Sequence, residues 1–318
     1  MMTLPYPFTR IPIPYDGSPS AKKALEWAAH LAYAGGEDVE QVTLLRVIGG
    51  AYLARHIQNV DLRVTRMDQV DAWRRVRQHH LDHEILPLLE EGKRFLKEKR
   101  VVAPIDTRVA EGKVGEEIIR VAGEGGYTTI VMGRRGLSPI KGLLLGSVTR
   151  QVLSLAQKMT IFVLGLETAF NPECPISPLL LPVDGSEPSL AAVRQGALLA
   201  RGLKTCQPHL MLLHVIDIAK VTSSLGEASG LVHNGERILA GSRQILLETG
   251  LRAMGEDKLR VGDPPRVIAE EAEAEEGHYS LILMGARGLS LVKQLLLGSV
   301  SSDVLQRVSR SIVGIVYP

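Results

Sequence analysis

The chain contains the same sentence twice. Residues 132 to 153 read MGRRGLSPIKGLLLGSVTRQVL and residues 284 to 305 read MGARGLSLVKQLLLGSVSSDVL, identical at 15 of 22 positions without a gap. Three more pairs follow in the same order: IPYDGSPSAKKALEWA from residue 13 with LPVDGSEPSLAAVRQGA from 181, TLLRVI at 43 with MLLHVI at 211, and RVAEGKVGEEIIRVA at 108 with RVGDPPRVIAEEA at 260. A duplicated unit fixes domain organisation before any secondary structure is assigned. Asp16 and Asp184 are 168 apart, as are Val47 and Val215, whereas Gly133 and Gly285 are 152 apart. Copy one therefore carries 16 extra residues, which fall in a helical stretch from about 52 to 100. The expected division is residues 1–166 for the first domain, 167–178 for a linker with three prolines and no periodicity, and 179–318 for the second domain.

Within each copy short apolar runs such as LLLPV, HLMLLHVI and SLILMGA alternate with segments of helical period such as AVRQGALLARG. This alternation predicts an α/β fold, with a doubly wound, five-stranded parallel sheet in each copy and helices on both faces. A ligand crevice is then expected beyond the carboxyl ends of the strands, at the topological switch point. One residue disturbs the pattern. Pro12 lies inside the first strand of copy one, where a missing N–H removes a ladder hydrogen bond, and copy two has Leu180 there.

At 318 residues, 45% hydrophobic and 23% charged, the chain has ordinary globular composition and length for two cores. A formal charge of +2 gives no basic footprint for nucleic acid. No uninterrupted apolar run approaches the ~18 residues of a membrane span, and the N-terminal MMTLPYPFTR lacks an apolar secretory core. Only Cys174 and Cys206 occur, too few for a disulfide framework or a metal cluster; free thiols and a reducing, cytoplasmic setting are expected.

The repeated motif is Gly133, two residues, Gly136, nine residues, then Gly146 and Ser147; copy two has Gly285, Gly288, Gly298 and Ser299. A strand, a glycine-containing loop and a helix N-terminus together aim several backbone N–H groups at one point, with the helix dipole behind them, and suit a phosphate. Ser147 and Ser299 can cap the helix and offer a hydroxyl to the same oxygens. Glycine after a strand and Gly-Ser before a helix are also ordinary punctuation, and duplication preserves structure as well as function.

With PYDGS or PVDGS ending the first strand and LLRVI or LLHVI forming the second, this spacing resembles the nucleotide-binding branch of the universal stress protein family, as two family domains in tandem. The resemblance implies a Rossmann-like domain of the adenine nucleotide alpha hydrolase type, strand order 3-2-1-4-5, with ATP and Mg (or Mn) at the carboxyl edge of the sheet. It implies that Pro14, Tyr15, Asp16, Val47 and Met132 lie about the adenosine end, and that Gly133, Arg135, Gly136, Gly146, Ser147, Val148 and Thr149 surround the phosphates. In copy two the matching positions are Pro182, Val183, Asp184, Val215, Met284, Gly285, Arg287, Gly288, Gly298, Ser299, Val300 and Ser301. It further implies that the last strands, in TIFVLG and SIVGIVYP, pair across a pseudo-two-fold axis within the chain, with dimerisation of whole chains and contacts to other proteins as further expectations.

The residues themselves leave alternatives. Asp16 and Asp184 suit a ribose hydroxyl or a divalent ion, but Asp before Gly is also a turn former. Arg134, Arg135 and Arg287 add charge to the loop or are simply solvated. Neither copy has a GxxxxGK[ST] loop, a GxGxxG after the first strand, an HExxH or a GxSxG, so binding is expected over turnover, with slow ATP hydrolysis in the same pockets as the alternative. In RQHHLDHEI, His79 and His83 are four apart and His80 and His83 three apart, which is metal-ligand spacing on a helix and equally a solvated face.

Overall fold

A computed structural model describes residues 7–50, 74–75, 77–136, 145–219, 228–251, 257–275, 277–287 and 297–318. Copy one runs β1 (Arg10–Pro14), α1 (Pro19–Gly35), β2 (Gln41–Ile48), α2 (Leu86–Glu98), β3 (Ile105–Glu111), α3 (Val114–Glu124), β4 (Thr129–Gly133), α4 (Ser147–Leu155) and β5 (Thr160–Leu164). Copy two runs β6 (Leu179–Pro182), α5 (Glu187–Gly202), β7 (Leu210–Asp217), α6 (Ala228–Glu248), β8 (Lys258–Gly262), α7 (Pro264–Ala272), β9 (Leu281–Gly285), α8 (Ser299–Arg307) and β10 (Ile312–Val316). The central strands are buried along their whole length, which is why they read as unbroken apolar runs rather than as alternation.

In copy two the sheet order is β8-β7-β6-β9-β10, the 3-2-1-4-5 arrangement, with every neighbour parallel. Copy one places its strands in the same sequence, but the hydrogen-bonded ladder is interrupted: β1-β2-β3 form one sheet and β4-β5 join the other. The reason lies in two prolines. Tyr15 N–H donates to Leu45 O at 2.8 Å. In a pleated strand alternate residues bond to opposite neighbours, so the nitrogens of residues 12 and 14 face β4. Both are proline and neither can donate. In copy two Val183 N–H donates to Leu213 O in the same way, but Leu180 keeps its N–H on the side of β9, and Leu179 and Leu180 pair with Leu281 and Ile282. The hydroxyl of Thr129 on β4, beside the interrupted seam, is buried with no hydrogen-bond partner among the described residues.

The two copies meet through their last strands. β5 and β10 pair antiparallel, Thr160 opposite Val316, Ile161 opposite Ile315, Phe162 opposite Gly314 and Val163 opposite Val313. A seven-stranded sheet results, β4-β5-β10-β9-β6-β7-β8. Each of its faces carries one apolar core that crosses from copy to copy: Trp27 and Leu31 of α1, Leu89 of α2 and Val193 and Leu199 of α5 on one side, Val121 of α3, Val152 and Leu153 of α4 and Val304 and Leu305 of α8 on the other. Among the described residues no helix is long and apolar enough to cross a membrane.

Two expectations change. Cys174 and Cys206 are not free thiols: their sulfurs are bonded, with Cα atoms 5.6 Å apart. The linker crosses the chain end of α5, where Thr205 Oγ1 donates to Glu173 O at 3.2 Å and His209 N–H to Ser177 Oγ at 3.1 Å. The inference of a reducing compartment from cysteine usage goes with the free thiols. The second is narrowed rather than overturned: the extra residues of copy one were expected within about 52–100, and α2 does not belong to them. Gly17 abuts Leu88 of α2 as Gly185 abuts Ile238 of α6, and Val101 N–H closes on Leu96 O as Leu251 N–H closes on Leu246 O. This helix is common to both copies, so the extra residues of copy one precede Leu88.

The seam gives a prediction. Leu180→Pro in β6 copies the copy-one edge into copy two, and should lower the stability of the chain by about 1–3 kcal/mol in urea unfolding; an unchanged midpoint would show that the β6–β9 ladder does not depend on that N–H.

Candidate functional site

Each copy places a turn from its first strand beside the loop that follows its fourth strand. Gly17 and Gly185 have φ of +76° and +81°, a left-handed conformation that glycine adopts without strain, and they turn the chain from the strand into the helix. Asp16 Oδ1 accepts the Ser18 N–H at 3.0 Å, and Asp184 Oδ1 accepts the Ser186 N–H at 2.9 Å and the Ser186 hydroxyl at 2.5 Å. The next link is the helix cap: Ser18 Oγ accepts from Ala21 N–H at 3.2 Å and Ser186 Oγ from Ser189 N–H at 3.4 Å, each followed by a proline in the first turn. Ser18 also donates to Arg135 O at 3.4 Å, which ties the first turn to the glycine loop. Sequence reasoning assigned this serine no role; the signal was Ser-Pro after Asp-Gly, a cap signature.

The glycines divide into two kinds. A Cβ on Gly133 would stand 2.8 Å from Ser20 and 2.9 Å from the Ala21 nitrogen, and one on Gly285 would stand 2.5 Å from the backbone of Pro188. These two let the first helix of each copy settle onto the end of the fourth strand, a packing function. A Cβ on Gly136, by contrast, would lie 2.5 Å from Asp16 Oδ2. Asp16 thus points its second carboxylate oxygen at the loop, and a side chain at residue 136 would have to displace it. Gly288, the counterpart in copy two, lies outside the described residues.

The loop closes as Gly146 N–H donates to Arg134 O at 2.9 Å and Gly298 N–H to Ala286 O at 2.6 Å. Both glycines are N-caps of extended conformation, with no side-chain cap to occupy the first turns of α4 and α8. The N–H groups of those turns have no acceptor within the helix, and the partial positive charge of the helix end lies with them. Ser147 and Ser299 are exposed at the same point. Thr149 and Ser301 act differently: Thr149 Oγ1 is buried and donates to Gly133 O and Arg134 O at 3.1 and 3.0 Å, and Ser301 Oγ donates to Gly285 O at 2.8 Å. Their protons hold the helix to the strand end. Val148 and Val300 are half-buried beside them.

The remaining predicted positions form the floor. Val47 and Val215 lie at the carboxyl ends of β2 and β7, and Met132, Val183 and Met284 are buried in the cores behind the site. The ring of Tyr15 packs against Gly92 of α2; burial, then the charges of Glu91 and Asp16, push its hydroxyl up to about 12. Pro14 and Pro182 end their strands. Arg135 and Arg287 are half-buried in the loop, while Arg134 is buried, with burial lowering its guanidinium to about 10.

The histidines do not form a comparable centre. His79 and His83 stack at 4.1 Å between ring centroids, and His83 Nδ1 lies 2.9 Å from His79 O. His80 is buried, with Glu84 3.2 Å from its Nδ1. Among the described residues no three His, Cys, Asp or Glu side chains gather as metal ligands.

The fold agrees with that of known relatives. The chain belongs to the universal stress protein family, whose model matches residues 7–163 and again residues 175–313. Universal stress protein YxiE of Bacillus subtilis is 31% identical over 159 residues, covering 47% of this chain and 94% of that protein. A universal stress protein from Archaeoglobus fulgidus matches 97% of this chain and 98% of its own, at 21% identity and a TM-score of 0.64. A functionally unknown protein from Pseudomonas aeruginosa matches 98% of this chain and 93% of its own, at 14% identity and a TM-score of 0.56. The last two show the tandem architecture as a shared fold.

The packing role of the first glycine predicts that Gly133→Ala and Gly285→Ala each cost about 1–3 kcal/mol in stability, equally with and without added nucleotide, in denaturant unfolding. A variant that unfolds like the parent would refute the close approach.

Proposed function

We propose that each copy binds an adenine nucleotide, ATP with Mg (or Mn), and that the protein is a nucleotide-dependent stress-response regulator rather than a dedicated catalyst. The observation that carries this reading is the convergence, at the carboxyl edge between β1 and β4, of the Asp16 carboxylate, the side-chain-free Gly136 and the uncapped first turn of α4 with Ser147 at its start. An anion needs donors and positive potential, which the helix end supplies. A carboxylate facing the same loop then suits either a ribose hydroxyl or a divalent ion shared with the phosphate. In copy two, Asp184, Gly298 and Ser299 repeat the arrangement. Adenosine would rest on the strand-end floor of Val47 and Met132, or of Val215 and Met284, both apolar.

Glycine at the cap offers a test, with thermal unfolding of each variant as the control because a Cβ on Gly146 meets Arg134 O at 3.2 Å and Arg135 Cα at 3.3 Å. Gly146 and Gly298 have φ of −64° and −69°, open to any residue. Aspartate there favours the helix while placing a negative charge where phosphate would sit. Isothermal titration with Mg-ATP is expected to give two equivalents per chain for the parent and one for Gly146→Asp or Gly298→Asp, the affected site weakening at least about tenfold, the effect of ~1.4 kcal/mol. Full retention of both equivalents in the double variant would overturn the assignment.

A further inference from the structure

We infer that the joint between the two copies is built for unlike partners: copy one carries a bump and copy two a hole on the pseudo-two-fold axis, so each copy accepts the other and rejects its own kind. The register places the axis. The motif offset of 152 carries residue 162 onto residue 314, and Phe162 pairs with Gly314; the flanking pairs, Ile161 with Ile315 and Val163 with Val313, are exchanged by the same offset. Phe162 and Gly314 therefore occupy the one position that in a pairing of like copies would face itself.

The two residues are complementary in shape. Phe162 is fully buried, its ring 4.8 Å from that of Trp27 and 5.4 Å from that of Phe8. A Cβ on Gly314 would lie 2.7 Å from Phe162 Cε1 and 2.6 Å from Leu283 Cδ1, so the ring fills the space that glycine leaves. The surroundings are unlike in the same sense. At the positions of Trp27, Phe8 and Val131 in copy one, copy two has Gln195, Ile176 and Leu283; Gln195 receives the Thr160 hydroxyl across the joint. Aromatic bulk comes from copy one, and the room for it from copy two. Two like copies of the first kind would bring Phe162 against Phe162 in space that holds one ring, and two of the second would leave that space empty.

Two features beyond the axis are one-sided as well. Tyr317 Oη donates to Leu153 O of α4 at 2.5 Å; the corresponding residue of copy one is Gly165, which has nothing to return. Arg134 is buried with no partner for its Nε among the described residues, and copy two has Ala286 there. Its guanidinium stands in the field of Glu273, whose carboxylate is fixed on copy two by the N–H groups of Ser309 and Arg310, at 2.5 Å each. The partner that fits the last-strand edge of copy one is thus a domain with glycine on the axis, leucine beside it and an acid at its far end.

Selectivity is read on the full-length chain cut after folding, through a protease site placed between Phe170 and Asn171; the Cys174–Cys206 bond keeps the rest of the linker on copy two. Isotopically labelled and unlabelled cut protein are mixed, carried through a urea transition and back, and weighed intact by native mass spectrometry. Pairs of one copy one with one copy two, labels exchanged, are expected to the near exclusion of like pairs. Like pairs at the random share, half of the total, would overturn the inference. The uncut chain reads the same contact without unfolding. Gly314→Ala should lower Tm by at least about 5 °C in the parent and by a measurably smaller amount in a Phe162→Leu background, where only the Leu283 contact remains; equal losses in both backgrounds would show that the two residues are not coupled.

Discussion

The antiparallel pairing of β5 with β10 is the interaction on which the rest of the molecule depends. It makes two half-sheets into one, and it lets each face of that sheet carry a single apolar core through both copies. Because the strands run in opposite directions, the carboxyl edge of copy one lies beside the amino edge of copy two. Arg134, just past the carboxyl end of β4, accordingly lies in the field of Glu273, whose carboxylate is held by the N–H groups that lead into β10. The two crevices open at opposite edges of the sheet, and a ligand in one is separated from the other by the packed strands between them.

Within each crevice the chemistry follows from what glycine omits. Gly133 and Gly285 omit a side chain so that a helix can approach; Gly136 omits one so that a carboxylate can. Gly146 and Gly298 omit the capping group that Ser18 and Ser186 supply to the first helix of each copy, and so leave the first turns of α4 and α8 without a side-chain cap. An uncapped helix end beside a carboxylate and a glycine loop keeps its first N–H groups open to a ligand, which is the physical support for the nucleotide reading.

Much of this was legible in the residues. Alternation of apolar runs and helical segments predicted the parallel architecture, and the duplicated motif with its resemblance predicted the strand order and the family. Other features depend on neighbours that a sequence does not name. Pro12 stood out as a fault in β1, but that Pro14 faults the same edge follows only from which nitrogen bonds to β2. The resemblance implied Thr149 and Ser301 at the phosphates, and the sequence did not show that their hydroxyl protons are directed at strand-end carbonyls. Cys174 and Cys206, 32 residues apart, meet because the linker passes over the end of α5. Phe162 and Gly314 each read as ordinary strand residues until the register set them on the axis.

The central claim is that both copies hold an adenine nucleotide, and it is tested most directly by weighing what the folded protein carries. The chain, incubated with Mg-ATP, freed of excess ligand and then denatured, should release close to two adenine nucleotides per chain, identified by mass. Release of none, from protein shown to be folded before denaturation, would contradict the account.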